Sequence, residues 1–242
     1  MRRRFFVDHF EAGAAVLRGK AAHHVGRVLH AQPGQLYELS DGQALWVGRV
    51  ARVERDRVDF ALIEPLPVHQ PRLRTILLLA IVKFDRFEWS CEKATELGVE
   101  EVVPLAAARS KMPLVRAAAK RASRWQKILL ESAQQSRRLR PPLLRIGTAG
   151  PVRAEDAFRE ARAALKIVLS ERPDAPTLGA ALQGKAATSA ALAVGPEGGW
   201  TDEELAAARS AGFAETSLGL NILRTETAVL STLAVLQHVF GD

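Results

Sequence analysis

The chain has 242 residues, 48% hydrophobic and 25% charged, which is the composition of a globular protein with enough apolar material for one large domain or two modest ones. Its formal net charge of +7 favours polyanionic partners, nucleic acid first. The longest apolar run, Ile76 to Val82, is too short for a bilayer span, and no sustained apolar stretch follows Arg2-Arg3-Arg4, so neither a membrane span nor a secretory leader is expected and the chain reads as cytoplasmic. The single cysteine, Cys91, cannot form an internal disulfide and reads as a small core residue in a reducing compartment. Arginine outnumbers lysine and Asn221 is the only asparagine, which suits a thermophile and a GC-rich genome alike.

In chain order, residues 1–64 read as short strands between turns. Strands are expected over 36–39, 44–53 and 57–63, with turns at Pro33-Gly34, Asp41-Gly42 and Arg55-Asp56 and a short helix over 20–30. Closely spaced short strands suggest a small barrel. Three prolines between Pro65 and Pro71 can continue neither sheet nor helix, so the domain boundary is expected there, with domains over 1–68 and 72–242. Beyond it, strands and helices alternate. Strands are expected over 75–82, 99–105, 143–146, 166–169, 190–194 and 215–218. Helices are expected over 85–97, ending at Gly98, and over 121–136, 153–164 and 227–240; Thr201-Asp202-Glu203-Glu204 reads as a capping box opening another that stops at Gly212. This order predicts an α/β domain with a parallel sheet covered by helices.

Chemistry concentrates where strands end. Val194 runs into Gly195-Pro196-Glu197-Gly198-Gly199-Trp200, a glycine-rich link that admits a ligand close to the backbone or merely makes a tight turn. It lacks the Gly-Lys-Ser/Thr of a phosphate loop and the Gly-x-Gly-x-x-Gly dinucleotide pattern. A second link, Leu218 to Ala228, carries Arg224 and Glu226 at the expected carboxyl edge of the sheet; the plain alternative is a surface ion pair with Thr225 capping the helix. Ser136-Arg137-Arg138-Leu139-Arg140 is a phosphate-contacting loop or a solvated charge run. Arg2-Arg3-Arg4-Phe5-Phe6 either contacts RNA or begins a buried strand. His23 and His24 diverge on a helix and have no cysteine or carboxylate cluster nearby, so no metal is expected.

Together these segments, with Lys83-Phe84-Asp85-Arg86-Phe87-Glu88-Trp89, Lys93-Ala94-Thr95-Glu96-Leu97-Gly98-Val99, Arg109-Ser110, Arg124-Trp125-Gln126-Lys127-Ile128 and Gln134-Gln135-Ser136-Arg137, resemble the bacterial 16S ribosomal RNA uridine N3-methyltransferases of the SPOUT, or α/β-knot, superfamily. The likeness spans nearly the whole chain and rests on the order and spacing of motifs that are weak singly. Two positions depart from it: Asn221 stands where the family often has arginine, and Pro141-Pro142 stiffens the basic loop.

The resemblance implies a PUA-like β-barrel that helps hold RNA, followed by a SPOUT domain tied in a deep trefoil knot, which periodicity alone would not suggest. It implies S-adenosylmethionine as methyl donor, 16S ribosomal RNA within the small subunit as substrate, and a homodimer with its site near the subunit boundary. The apolar residues of the last helix, Val229 to Phe240, cover most of its circumference, which fits burial on several sides within one chain or between two. The implied cofactor pocket comprises Leu169, Ser170 and Glu171; Val194, Gly195, Pro196, Glu197, Gly198, Gly199 and Trp200; and Ser217, Leu218, Gly219, Leu220, Asn221, Ile222 and Leu223. The implied catalytic residues are Arg224, to stabilise charge developing on a uracil carbonyl, and Glu226, to take the N3 proton or, as preferred, to orient Arg224. RNA-backbone contacts are expected from Arg2, Arg3, Arg4, Lys83, Arg86, Arg109, Arg137 and Arg138. The competing readings are a SPOUT enzyme methylating ribose 2′-hydroxyls and a catalytically inactive RNA-binding assembly factor.

Overall fold

The computed structural model describes residues 2–241. Its contacts divide the chain into two compact units: residues up to Gln70 together with Ala133–Pro141, and Pro71–Ser132 together with Pro142 onward.

The first unit holds six strands: β1 (Arg4–Phe6), β2 (Phe10–Glu11), β3 (Ala14–Arg18), β4 (Leu36–Ser40), β5 (Leu45–Val53) and β6 (Arg57–Pro65). Their order is β1-β4-β5-β6-β3-β2, antiparallel throughout except for the parallel β1–β4 pair. The expected turn at Asp41-Gly42 joins β4 to β5: Asp41 Oδ1 accepts from the amides of Gln43 and Ala44 at 2.8 and 2.7 Å, and Gly42 takes φ +87°. Leu39, Val50, Val58 and Phe60 turn inward with Phe5 and Val25. The helix expected over 20–30 is shorter and less regular: α1 (Gly19–His23) runs into a wide turn over His24–Val28.

Arg4 is corrected here from an RNA contact to an interior residue. β1 and β4 pair in parallel with Arg4 opposite Glu38, so the two side chains are neighbours on one face of the sheet. Arg4 Nε and Nη2 donate to Glu38 Oε2 at 3.1 and 2.8 Å, Nη1 donates to the carbonyl of Arg137, and both side chains are 10% exposed. The Ser40 hydroxyl donates to the carbonyl of Leu139 at 2.5 Å, so segment 133–141 is fastened once to β1 and once to β4. Arg2 and Arg3 remain exposed.

The second unit is a parallel sheet of β7 (Arg74–Ala80), β8 (Glu101–Ala106), β9 (Leu143–Leu144), β10 (Val152–Arg153), β11 (Leu165–Leu169), β12 (Ser189–Val194) and β13 (Ala214–Thr216). Its order is β10-β8-β7-β12-β11-β13, with β9 also on β8. Successive residues of β7 serve opposite faces, as a two-residue repeat requires. Leu77 and Leu79 enter one core layer, with α2 (Phe84–Glu96), α4 (Ala122–Gln135) and α8 (Thr225–Phe240) supplying Phe87, Trp125 and Leu233. Leu78 and Ala80 enter the other, against Phe158 of α5 (Ala154–Glu160) and Leu205 of α7 (Asp202–Ser210). Burial on both faces is why these strands read as unbroken apolar runs. Short helices at Met112–Ala118 (α3) and Leu178–Leu182 (α6) are additional to those expected. The helix expected over 153–164 ends at Glu160, because Ala161 turns extended at ψ 125°. Cys91 is fully buried in α2 and burial pushes its thiol up, so it stays protonated and packs as a core side chain.

Replacing Arg4 with alanine leaves the Glu38 carboxylate buried without its main partner. Denaturant unfolding should show a loss of about 3–5 kcal/mol, whereas alanine at the exposed Arg3 should change stability by less than about 0.5 kcal/mol.

Candidate active site

Because the sheet is parallel, the links leaving β11, β12 and β13 all emerge at its carboxyl edge, where open α/β sheets bind ligands. They enclose a cavity of about 560 Å³, within the range of small-molecule sites. Every residue expected of the cofactor pocket lies on its wall except Ser217. Ser217 instead donates its hydroxyl to the carbonyl of Ala175 at 3.1 Å, and its backbone pairs with Pro176 and Leu178, so it holds the link after β11 in place from behind.

The β12 link keeps its shape through Trp200. The indole Nε1 donates to the carbonyl of Leu169 at 2.9 Å, joining the ends of β11 and the β12 link, and the ring packs edge-on against Phe158 at 5.6 Å. A Cβ at Gly195 would lie 3.0 Å from the indole, so a side chain here would crowd the ring and force it to shift. Gly199 takes φ +68°, which turns the chain into α7. The capping box forms as expected: Thr201 Oγ1 accepts from the Glu204 amide, and Glu204 Oε2 accepts from the Thr201 amide at 2.9 Å. Glu204 reaches further, its Oε1 accepting from the amide of Ala108 at 2.8 Å, which fastens the link after β8 to the head of α7.

The ionic groups are arranged differently from expectation. Arg224 lies on the cavity wall, exposed, as the residue before α8, and Thr225 does not cap the helix: its hydroxyl donates to the carbonyl of Gly195 at 3.3 Å, tying α8 to the β12 link. Among the described residues no ion pair joins Arg224 to Glu226, so neither the expected surface pair nor direct orientation of Arg224 is formed. Glu226 instead stands with Oε1 3.8 Å from Arg86 Nε, and its buried Oε2 accepts no hydrogen bond among the described residues. Arg86 also donates from Nη1 to Glu197 Oε1 at 3.0 Å. Expected as an RNA contact, Arg86 is therefore drawn into two carboxylates, and it bridges α2 to the β12 link. Arg109, also expected on RNA, lines the cavity and donates to the carbonyl of Gly198 at 2.8 Å. Lys83 is exposed just ahead of α2; Arg137 adopts φ +55° and donates to the carbonyl of Arg2 at 3.0 Å, while Arg138 is half-buried in the first unit.

Arg172, Pro173 and Leu205, not singled out in the sequence, complete the wall with Asp202, Thr225 and Ala228, which were named there but not for the cofactor pocket. Arg172 pairs with Asp202 and lies 3.8 Å from Glu215. Only its place directly after Glu171 at a strand end could have signalled it. Replacing Trp200 with phenylalanine keeps the ring but strands the Leu169 carbonyl, and should lower unfolding stability by about 1–3 kcal/mol.

Residues 69–237 match the RNA methyltransferase domain family. A protein of Mycobacterium bovis named ribosomal RNA small subunit methyltransferase E is 33% identical over 237 residues, covering 95% of this chain and 88% of its own length. Among solved structures, the ribosomal RNA small subunit methyltransferase E of Neisseria gonorrhoeae bound to S-adenosyl methionine is 28% identical with a TM-score of 0.87, covering 100% of this chain and 99% of its own. A methyltransferase of Legionella pneumophila in complex with the same cofactor is 31% identical with a TM-score of 0.87 over the same shares. The motifs, the parallel sheet with its strand-end cavity and these likenesses agree, and the chain belongs to the RNA methyltransferase family, among the relatives of ribosomal RNA small subunit methyltransferase E.

Proposed function

We propose that this protein transfers a methyl group from S-adenosylmethionine to N3 of a specific uridine in 16S ribosomal RNA during maturation of the small subunit. Dependence on S-adenosylmethionine and action on small-subunit ribosomal RNA follow from the family and its cofactor-bound members. The observation that carries the choice of a base nitrogen is Arg224, a guanidinium with no acidic partner within 4 Å among the described residues, on the wall of the strand-end cavity.

The wall suits the cofactor. Leu169, Val194, Leu218 and Leu223 offer apolar surface to an adenine ring, and the backbone of three links offers donors and acceptors to its edge. When bound, S-adenosylmethionine supplies a methyl group made electrophilic by its sulfonium. The residues of the chain have two tasks. Uracil N3 is protonated at neutral pH, so its proton must leave and the resulting charge on the ring carbonyls must be met. Arg224 donates hydrogen bonds to a uracil carbonyl as that charge develops. Glu226 takes the N3 proton as the N3–methyl bond forms and the sulfur–methyl bond breaks; its Oε2 has no hydrogen-bond partner among the described residues and, being buried, must be uncovered as the RNA binds. The uridine must be unpaired, since its N3 lies on the pairing edge.

In this reading residues 1–68 form a PUA-like barrel that holds RNA, and residues 72–242 form a SPOUT methyltransferase domain tied in a trefoil knot. Arg2, Arg3, Lys83, Arg137 and Arg138 contact the RNA backbone. The protein works as a cytoplasmic homodimer; Leu220 and Ile222 on the cavity rim and Val235 and Val239 on α8 leave apolar surface exposed, as a subunit boundary near the site requires.

The test is methyl transfer from labelled S-adenosylmethionine to unmodified small subunits, protein-free 16S RNA and transfer RNA, with products mapped by reverse transcription. A single strong stop in 16S RNA is expected, because N3-methyluridine cannot pair; label without a stop would point to ribose methylation. Replacing Arg224 with alanine should slow the chemical step about 10²–10³-fold with cofactor affinity unchanged. Equal losses in both would remove Arg224 from catalysis.

A further inference from the structure

We propose that Arg109 binds the carboxylate of the cofactor's amino-acid end, dividing the cavity into a neutral half for the adenosine and an ionic half for the amino acid. Taking the cavity as the S-adenosylmethionine site, its wall must meet a charged carboxylate, because such a group taken from water needs a compensating cation. The cavity wall presents three guanidiniums: Arg109, Arg172 and Arg224. Arg172 is already neutralised by Asp202 and Glu215. Arg224 stands at the head of α8 and is assigned to the RNA base. Arg109 has no acidic partner within 4 Å among the described residues; its Nη1 donates to a neutral carbonyl, that of Gly198, at 2.8 Å. Nε and Nη2 of its planar fork still have N–H groups to give to a carboxylate.

The neighbourhood of Arg109 is fixed on both sides. The Ala108 amide donates to buried Glu204 Oε1 at 2.8 Å, and the Ser110 hydroxyl donates to the carbonyl of Ile81 at 2.9 Å. Little freedom is then lost when the guanidinium engages a ligand. The stem of Arg109 crosses Gly198 so closely that a Cβ there would lie 3.3 Å from Arg109 Cβ and 3.5 Å from Cδ. The small residue at 198 is thereby explained by the arginine that passes over it, and the charge is held against the link that lines the cavity.

The test compares two ligands by calorimetry. S-adenosylhomocysteine carries the amino-acid end; 5′-methylthioadenosine lacks it. Arg109→Gln keeps a donor for the Gly198 carbonyl and removes the charge. It should weaken S-adenosylhomocysteine roughly ten- to a hundredfold and leave 5′-methylthioadenosine within about twofold, with Arg109→Lys in between. Equal weakening of both ligands would mean that Arg109 only shapes the link, and no change in either would mean that it serves another partner; both outcomes overturn the proposal. Leu223→Trp narrows the cavity and separates the two levels of the reading. It should weaken both ligands, and unaltered binding of both would remove the cavity, and not only Arg109, from cofactor recognition.

Discussion

The hydrogen bond from Trp200 Nε1 to the carbonyl of Leu169, 2.9 Å long and buried, sets the width of the crevice between β11 and the β12 link. That carbonyl ends a strand and its bond is buried, so an unpaired acceptor there would be expensive. Meeting it with an indole packs a large flat ring against the link, so that a Cβ at Gly195 would lie only 3.0 Å from it and would have to push the ring aside. The same ring closes the core layer shared with Phe158 and Leu205, so the floor of the cavity is also part of the hydrophobic interior. Site and core are thus one packing problem, and the glycine at 195 is a consequence of its solution.

Around this floor the charged groups sort by what already neutralises them. Arg4 is buried with Glu38, Arg172 is held by Asp202 and Glu215, and Arg86 lies between Glu197 and Glu226. Arg109 and Arg224 are the cavity-wall arginines that form no ion pair within 4 Å among the described residues, although, after hydrogen bonds from its own backbone amide and the Thr201 hydroxyl, the Arg109 charge helps to lower the Glu203 carboxyl below its ordinary range. A net charge of +7 is therefore a poor guide to which cations meet RNA, since several of the motif arginines are committed to the fold. Anchoring also differs by residue: the segment bearing Arg109 is pinned by Glu204 and Ser110, whereas Arg224 joins an exposed link to a helix whose first residue, Thr225, is bonded to Gly195.

What could be read in advance was local. The Thr201–Glu204 capping box, the Asp41-Gly42 turn and the apolar β7 run each announce themselves within a few residues, and the structure contains all of them. The strand-end links were legible for the same reason, and all but Ser217 and Glu226 of the residues singled out there line one cavity. What escaped depends on residues distant in sequence. Nothing near Arg4 tells that β1 will pair with β4 and put Glu38 opposite it, and nothing near Arg86 announces Glu197 or Glu226. The alternative reading of Thr225 as a cap fails because its partner, the Gly195 carbonyl, is thirty residues away. The helices α3 and α6, with seven and five residues, are too short for a helical period to stand out.

The most direct test of the strand-end cavity as the cofactor site is hydrogen exchange of the whole protein with and without S-adenosylhomocysteine. Slower exchange should appear together at residues 169–173, 195–200 and 218–224, the links that surround the Trp200 floor. Protection elsewhere, with those three links unchanged at saturating ligand, would contradict the account.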